Sequence, residues 1–258
     1  MKSLQSKLNL KVTVQCIDIG NTNTHFGFYK DGVLTKEKKI KTKQIINNNY
    51  DLIHQNIFNQ FPVSYCSVVP NAENSLVEFL KEGNFNFFNL NYKTNKILPI
   101  KYPNLIEIGQ DRIANSLVAY ISNCLPSIVI DIGTATTFDV IKKDEGYIGG
   151  VIAPGPQGYL DFLHQNTAQL PDLKITSSKI QDGIGKSTEQ AMQIGAKYGY
   201  VAMVKGIIDK ISEELKITTD TINIISTGGD KNILDKNSYK HIPNLTLQGL
   251  AYSYLYSL

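Results

Sequence analysis

Two short stretches of this sequence combine acidic, amide and hydroxyl side chains with glycine in the same order. The first is Asp18-Ile19-Gly20-Asn21-Thr22-Asn23-Thr24, and the second is Asp131-Ile132-Gly133-Thr134-Ala135-Thr136-Thr137. A glycine lets the backbone approach a ligand closely, and the small polar groups after it, with the N–H groups of the turn, suit phosphate oxygens. The aspartate before each glycine offers a carboxylate to Mg²⁺ or another cation beside those phosphates. Both stretches therefore indicate binding of phosphate groups and a cation.

The residues on either side of each turn predict β-strands that would position it. An apolar run precedes each stretch, at Val12–Ile17 and at Ile128–Ile130, and a second strand-like run follows, at Phe26–Tyr29 and at Phe138–Ile141. A charged turn containing glycine comes after both copies, which predicts two β-meanders. Two purely structural hairpins are the alternative. The duplication argues against them, because a single Asp-x-Gly turn is common whereas a repeated one is not.

Length and charge restrict the class of protein. The chain has 258 residues, 42% of them hydrophobic, and 26 basic against 23 acidic side chains give a formal charge of +3. This length fits one large domain or two ordinary ones, and the repeat favours two. We place the boundary at Leu125-Pro126, which gives domains of residues 11–125 and 126–258. The charge balance is too weak to indicate nucleic-acid binding, and no basic run is interleaved with aromatic residues.

Cysteine and histidine show no metal-binding pattern. Cys16, Cys66 and Cys124 are scattered and form no Cys-x-x-Cys, so we expect buried, reduced thiols rather than disulfides or a zinc site. His25 follows the first stretch and could touch a ligand, although a side chain of the second strand is the better interpretation. Residues 1–10 form a polar extension without the apolar core of a secretory signal. No apolar run approaches the roughly 18 residues of a membrane span, so we expect a cytoplasmic protein.

Periodicity predicts the elements between the two stretches. Helical spacing covers Gln44–Phe61 and Asn71–Glu82, and alternation predicts a strand at Val63–Val69. Gly109-Gln110-Asp111-Arg112 comes directly before a predicted helix at Ile113–Asn123. By itself, that position indicates that Asp111 caps the helix N-terminus.

The C-terminal half contains two more glycine motifs. A buried strand at Thr221–Ser226 runs into Thr227-Gly228-Gly229-Asp230, where the backbone could again approach a nucleotide. Gly183–Thr188 is similar to the end of a P-loop, but the first glycine of that pattern is missing and no strand precedes it. Ser187 with Gln190 instead predicts a capping box that begins a long helix.

The ordered set of motifs resembles the type III pantothenate kinases, within the actin-like ATPase and sugar kinase superfamily. The matching stretches are Asp18–Thr22, Gly109–Arg112, Asp131–Thr137, Gly149–Gly155, Gly185–Thr188 and Thr227–Asp230. Each motif alone is unspecific, whereas the set in this order is highly specific; Gln110 departs from it, since the family usually has a small residue there. The resemblance implies an α/β fold of two duplicated actin-like, ribonuclease H-like domains, each with a mixed five-stranded sheet flanked by helices.

The resemblance also implies a reaction, the transfer of the γ-phosphate of ATP to the primary hydroxyl of pantothenate in coenzyme A synthesis. Asp111 would be the general base, and Arg112 would bind the pantothenate carboxylate. The substrate-binding positions implied are Tyr102, Gly109, Gln110, Asp111, Arg112 and Thr188, the last contributed by the partner subunit of a homodimer with a shared active site.

The ATP-binding positions implied by the resemblance are Asp18, Ile19, Gly20, Asn21, Thr22, Asn23, Thr24, His25, Thr134, Gly228 and Gly229. Asp18 would hold Mg²⁺ directly or through water, and Asp131 would hold a monovalent cation, either K⁺ or NH₄⁺. Two alternatives stay open: a kinase of another small alcohol or sugar, and a non-catalytic regulator that binds a nucleotide. The presence of both Asp18 and Asp111 favours the kinase.

Overall fold

The structure is a computed structural model that describes residues 12–46, 50–176, 182–229, 233–234 and 239–258. The predictions for residues 1–10 and for Asp230 lie outside this part of the chain. The chain divides into two compact units. The first unit runs to Asn123 and also takes in Ile141–Ile148 and Asn244–Leu258, while the second consists of Cys124–Val140 and Gly149–Pro243.

A five-stranded sheet forms the centre of the first unit. Its strands are β1 (Val14–Ile19), β2 (Asn23–Lys30), β3 (Val33–Lys41), β4 (Val63–Ser67) and β5 (Phe87–Asn89), in the spatial order β3-β2-β1-β4-β5. The first three strands are antiparallel, whereas β4 runs parallel to β1 and β5 parallel to β4. Strand β1 is buried along nearly its whole length, because apolar side chains occupy both of its faces.

The second sheet repeats this arrangement. Its strands are β6 (Ser127–Ile132), β7 (Ala135–Lys142), β8 (Gly146–Pro154), β9 (Asn223–Gly228) and β10 (Lys240–His241), in the order β10-β9-β6-β7-β8. Strand β9 pairs parallel with β6 and β10 parallel with β9, as β4 and β5 do in the first sheet. The predicted fold of two duplicated units with mixed five-stranded sheets is therefore confirmed.

Helices flank both sheets. They are α1 (Thr42–Ile46), α2 (Tyr50–His54), α3 (Pro70–Glu82), α4 (Gln110–Ser122), α5 (Pro156–Gln165), α6 (Thr188–Leu215) and α7 (Leu245–Ser257). In the first unit α7 lies against α4 so closely that a Cβ on Gly249 would come within 2.1 Å of the Ala114 carbonyl oxygen. The hydroxyl of Ser64 donates a hydrogen bond to the Leu250 carbonyl, which fastens the same helix to β4. None of the helices in the described ranges has the length and apolar character needed to cross a bilayer.

One predicted helix is shorter than its periodicity indicates. Of the helical spacing over Gln44–Phe61, the described residues form only the short helices α1 and α2, and the chain leaves the helix after His54. The buried side chain of Gln15 explains the change. Its amide nitrogen donates to the Phe58 and Phe61 carbonyls, and its oxygen accepts a hydrogen bond from the Phe58 N–H. These bonds to Gln15 of β1 satisfy backbone groups of the loop, which therefore do not need helical hydrogen bonds.

The predicted start of the long helix α6 is confirmed. Ser187 is its N-cap, and the hydroxyl oxygen accepts a 3.2 Å hydrogen bond from the Gln190 N–H. The return bond differs from an ideal capping box, since the Gln190 side chain accepts from the Lys186 N–H rather than from that of Ser187.

Candidate active site

The first Asp-Gly turn lies between β1 and β2 and is held by the start of α1. The Gly20 N–H donates to the Asn23 carbonyl at 3.1 Å, which closes the turn. The Thr42 hydroxyl donates to the Gly20 carbonyl at 2.6 Å, and the Thr42 N–H donates to the Thr22 carbonyl. Asn21 and Thr22 are exposed at the tip of this rigid turn. Their polar groups can therefore reach a phosphate without rearrangement of the backbone.

Other predicted residues of this turn have buried side chains. Ile19 is part of the hydrophobic core, and the Thr24 hydroxyl is buried in a 3.1 Å hydrogen bond with the Thr42 hydroxyl. Ile19 and Thr24 are paired with each other across the hairpin. Because the side chains of these two residues are buried and support the turn, a nucleotide could contact the residues only through their backbone atoms.

His25 lies in β2 directly opposite Asp18, as the second-strand interpretation predicts. Burial, with a smaller contribution from the positive charge of Lys39, lowers the pKa of His25 to about 4. The imidazole is consequently neutral near pH 7. It can form hydrogen bonds there, but it adds no positive charge for a phosphate.

The thiol of Cys66 lies near two predicted site carboxylates, those of Asp18 and Asp111. Cys66 pairs with Asp18 across the parallel strands β1 and β4, and its Sγ donates to the Asp18 Oδ1 at 3.5 Å. Burial raises the pKa of the Cys66 thiol well above its usual range, and the negative charges of Asp18 and Asp111 add to this effect. The thiol is thus a neutral donor near both carboxylates. The sequence indicates its burial but not these neighbours.

Asp111 occupies the first turn of α4 rather than the N-cap position, which belongs to Gly109. Its Oδ1 accepts a 2.8 Å hydrogen bond from the Arg112 N–H. Burial raises the pKa of Asp111 above its ordinary value, although this hydrogen bond and the Arg112 charge oppose the rise. Gly109 leaves room for the carboxylate, because a Cβ there would come within 2.4 Å of the Asp111 Oδ1. A buried carboxylate with a raised pKa is a suitable proton acceptor.

Gln110 anchors the first turn of α4 to the sheet. Its side-chain oxygen accepts hydrogen bonds from the Ser67 N–H at 2.8 Å and from the Asn89 amide at 3.0 Å. Ser67 ends β4 and Asn89 ends β5, so one side chain joins two strand ends to the helix that carries Asp111. Gln110 also lines a cavity of about 560 Å³, together with Gly109, Ser67, Glu73 and Asn91 among others.

Arg112 and Tyr102 are connected through a third residue, Tyr147. The Arg112 guanidinium carbon lies 5.7 Å from the centre of the Tyr147 ring. The Tyr102 and Tyr147 ring centres are 6.0 Å apart. Tyr147 is only 1% exposed. The sequence gives no sign of this residue, because it lies at the start of β8, outside the motifs, and becomes relevant only through tertiary packing.

In the second unit, the second Asp-Gly turn packs against the Gly149–Gly155 segment. The Gly133 N–H donates to the Ala135 carbonyl at 3.0 Å, and the Gly155 N–H donates to the Thr134 carbonyl at 3.0 Å. A Cβ on Gly155 would come within 2.0 Å of the Gly133 carbonyl oxygen. Only glycine permits this approach, so the role of Gly155 is to support the turn that carries Thr134.

Gly228 and Gly229 join the same turn from β9. Gly228 has a φ of +95°, and a Cβ there would come within 2.3 Å of the Ile132 carbonyl oxygen and 2.8 Å of the Asp131 Oδ1. The Gly229 N–H donates to that Ile132 carbonyl at 3.0 Å. The structure thus brings together Asp131, Thr134 and both glycines, four predicted residues of the second unit.

The Asp131 carboxylate and the Ile132 carbonyl both lie close to Gly228, and oxygen ligands of this kind suit a hard cation. Within the described ranges there is no group of three or more His, Cys, Asp or Glu side chains that could hold a metal ion. Thr188 is exposed at the first position of α6. Among the described residues of the second unit, no hydrogen bond joins it to the turn at Asp131.

Two mixed sheets with the same strand order, each with an Asp-Gly turn after its central strand, define the actin-like ATPase fold. The chain belongs to the type III pantothenate kinase family, whose sequence profile matches residues 15–210. A type III pantothenate kinase of Methylacidiphilum infernorum is 36% identical over 222 residues, which cover 84% of this chain and 78% of that relative. One from Legionella pneumophila (strain Corby) is 33% identical over 92% of this chain and 96% of its own.

Solved structures show the same fold at lower identity. A Baf family protein from Campylobacter jejuni superposes with a TM-score of 0.60 and 22% identity, over 93% of this chain and 96% of that one. A protein of Sinorhizobium meliloti described as a 2-dehydro-3-deoxygalactonokinase gives a TM-score of 0.55 at 9% identity, over 93% of this chain and 95% of its own. At these identities the similarity concerns the fold alone.

Proposed function

We infer that this protein is a type III pantothenate kinase, which transfers the γ-phosphoryl group of ATP to the primary hydroxyl of pantothenate in coenzyme A biosynthesis. Membership of the family carries this conclusion. The buried carboxylate of Asp111 beside Arg112 is the structural feature that supports it most directly, because phosphoryl transfer to an alcohol needs a proton acceptor at the hydroxyl.

We assign Asp111 as the general base. Its raised pKa makes the carboxylate a better proton acceptor than an exposed aspartate, and its hydrogen bond from the Arg112 N–H fixes the direction of the remaining oxygen. The carboxylate would accept the proton of the pantothenate hydroxyl as that oxygen attacks the γ-phosphorus. The bond between the γ-phosphorus and the β–γ bridging oxygen breaks, and ADP leaves with that oxygen.

We assign the two Asp-Gly turns to the nucleotide. In the first unit the exposed residues Asn21 and Thr22 would contact phosphate oxygens, and Asp18 would hold Mg²⁺ directly or through water. In the second unit Thr134, Gly228 and Gly229 would line the nucleotide, and the Asp131 carboxylate would hold a monovalent cation. These cations, when bound, neutralise phosphate charge during the transfer.

We assign Arg112 and Tyr102 to the carboxylate end of pantothenate. A guanidinium presents a planar fork of donors that fits a carboxylate in a bidentate way, which an ammonium group does not. Tyr102 is close to the same site through its contact with the Tyr147 ring. Substitution of Arg112 by Lys should therefore raise the KM for pantothenate far more than the KM for ATP.

We also propose that two copies of the chain form a homodimer in which Thr188 reaches the partner's substrate site. Thr188 is exposed at the start of α6, and exposed apolar side chains lie in the same unit: Phe162 is 65% exposed and Ile184 80% exposed. Such side chains favour burial against a partner. Light scattering should give twice the 28.7 kDa chain mass, and a monomer with full activity would reject the proposal.

The function is tested by ADP release from Mg-ATP with pantothenate, with and without K⁺, for the wild type and Asp111→Asn. We expect turnover that requires pantothenate and a monovalent cation and that collapses in the variant. A panel of other small alcohols and sugars under the same conditions tests the acceptor. Absence of turnover with every acceptor and cation, for a folded protein that still binds ATP, would favour a nucleotide-binding regulator.

A further inference from the structure

We propose that Tyr147 is a positioning residue for the substrate, whose buried ring holds the Arg112 guanidinium and the Tyr102 ring in the orientation that binds the pantothenate carboxylate. This inference rests on the proposed function. It concerns a residue outside all of the motifs, at the turn end of the β7–β8 hairpin.

The hairpin end is fixed to the first unit by its backbone. The Tyr147 N–H donates to the Pro99 carbonyl at 2.9 Å, and the Lys101 N–H donates to the Tyr147 carbonyl at 2.8 Å. Gly146 has a φ of +68°, and a Cβ there would come within 1.9 Å of the Pro99 carbonyl oxygen. The segment that leads into Tyr102 is therefore bound to the hairpin on both sides of Ile100.

Charged side chains add a second connection at the same place. The Glu145 carboxylate accepts hydrogen bonds from the ammonium groups of Lys101 and Lys142. These two bonds lower the pKa of Glu145 to about 2, so the carboxylate stays charged at any physiological pH. Lys101 directly precedes Tyr102, which means that the hairpin holds this segment by side chain as well as by backbone.

The ring of Tyr147 faces the two residues that we assign to the substrate. The guanidinium of Arg112 lies over the ring at 5.7 Å, within the range of a cation–π interaction, and the ring of Tyr102 is tilted by 55° at 6.0 Å. An arginine side chain has many rotamers, and the aromatic face limits them before the substrate arrives. A fork that is already oriented binds a planar carboxylate with a smaller loss of entropy.

The experiment compares Tyr147→Leu and Tyr147→Phe with two substrates. One is pantothenate, and the other is its alcohol analogue, in which a –CH₂OH group replaces the carboxylate and the reacting hydroxyl is unchanged. We expect Tyr147→Leu to raise the KM for pantothenate by roughly 3- to 30-fold, the range that corresponds to a lost cation–π contact. The kcat and the KM for ATP should stay within about twofold, and the alcohol analogue should show no such penalty, because it has no carboxylate for Arg112.

Tyr147→Phe is the conservative variant, since it keeps the ring and should keep the KM for pantothenate within about twofold. Glu145→Gln is the matched control for the hairpin, because it removes the ion pairs while the ring and the backbone hydrogen bonds of Tyr147 to Pro99 and Lys101 stay in place. It should leave the preference for pantothenate over the alcohol unchanged. Where Tyr147→Leu does not fold, Tyr147→Met supplies the same comparison with a side chain that fills more of the buried volume.

Three results would overturn the inference while the proposed function stands, because the wild type would still phosphorylate pantothenate. The first is an unchanged KM for pantothenate in Tyr147→Leu. The second is an equal loss with both substrates, which would mean a purely structural role. The third is a loss in Tyr147→Phe as large as in Tyr147→Leu, which would assign the effect to the hydroxyl. Failure of the wild type to use pantothenate would instead reject the proposed function.

Discussion

The side-chain oxygen of Gln110 lies 2.8 Å from the backbone nitrogen of Ser67. A backbone N–H can only donate, so this contact fixes which end of the amide faces the strand. The same oxygen accepts a second hydrogen bond from Asn89, whose amide also lies 3.4 Å from a Glu73 carboxylate oxygen. The first turn of α4, with Asp111, is thereby connected to the ends of two strands through a residue in which this chain departs from the usual family pattern.

Gln110→Ala should weaken both folding and activity. The loss of the acceptor leaves the part-buried Ser67 N–H unsatisfied, which costs about 1–3 kcal/mol, and the turn that carries Asp111 becomes less constrained. We expect a lower Tm and a fall in kcat/KM of about tenfold, measured by thermal unfolding and by ADP release. A shift of about 1 Å at the base can cost much of the rate.

Gln110→Glu is the control for that prediction, because it keeps an acceptor for the Ser67 N–H. Its Tm should stay close to that of the wild type. Activity is not compared in this variant, since a second carboxylate next to Asp111 would change the base itself. A Tm of Gln110→Ala equal to the wild-type value would show that the hydrogen bonds of Gln110 do not stabilise this turn.

Asp111→Asn should abolish most of the activity without loss of stability. General-base catalysis contributes roughly 10²- to 10⁴-fold, so kcat should fall by that amount. Asparagine keeps an oxygen that can accept the Arg112 N–H, and it removes a charge whose burial is unfavourable. The Tm should therefore be unchanged or higher near neutral pH. A Tm well below that of the wild type would make the activity loss uninformative about the base and would contradict this reading of its burial.

The raised pKa of Asp111 also predicts a pH dependence. The folded protein holds this proton to a higher pH than the unfolded chain does, so its contribution to stability is largest below the unfolded pKa and is lost as pH rises through the raised one. Activity follows the opposite direction, since the base must be deprotonated. We expect kcat/KM for pantothenate to fall on the acid side with an apparent pKa above that of a free aspartate, and we expect Asp111→Asn to lack this limb.

Local patterns in the sequence predict the frame of the fold well. The two meanders follow from alternation and glycine placement around Asp18 and Asp131, and the start of α6 follows from Ser187 and Gln190, because all of these depend on neighbours in the chain. The prediction of helix after His54 is wrong. The side chain of Gln15, a buried residue distant in the sequence, donates hydrogen bonds to carbonyl groups of the loop that follows α2. Periodicity carries no information about such a partner.

Local sequence patterns also fail to predict the distant neighbours of residues in the candidate site. The motifs predict which residues face a ligand, and both this placement and their roles stay predictions. The neighbours of those residues depend on strand register and on packing of distant segments. Cys66 meets Asp18 only because β1 and β4 pair in parallel at that register. Tyr147 meets Arg112 only because the end of a hairpin from the second sheet belongs to the first unit. Neither relationship has a spacing that a sequence pattern could reveal.

Gly228 and Gly229 are adjacent, but alanine should have different effects at the two positions. Gly228 has a φ of +95°, and a Cβ there would overlap the Ile132 carbonyl, so Gly228→Ala should destabilise the protein by about 2 kcal/mol or more. Among the described residues, a Cβ on Gly229 would meet no atom within 4 Å. Gly229→Ala should therefore leave the Tm unchanged, and any rise in its KM for ATP would report contact with the nucleotide. Equal Tm values for the two variants would contradict this account.

His25 should make the protein less stable in mild acid. Burial lowers its pKa in the folded state to about 4, whereas a histidine of an unfolded chain titrates near 6.5. Between these values the unfolded chain binds a proton that the folded protein excludes, so this part of the stability is fully present above pH 6.5 and is lost as pH falls toward 4. His25→Gln removes the titration. We expect the free energy of unfolding of the wild type to fall by on the order of 1–3 kcal/mol more than that of the variant between pH 7 and pH 4.5, measured by urea unfolding at both values.

His164→Gln, at an exposed position of α5, is the matched control for the general effect of exchanging histidine for glutamine. Parallel losses in the wild type and His25→Gln would show that the His25 ring accepts a proton in the folded state, and its neutral role beside the first Asp-Gly turn would then have to be abandoned.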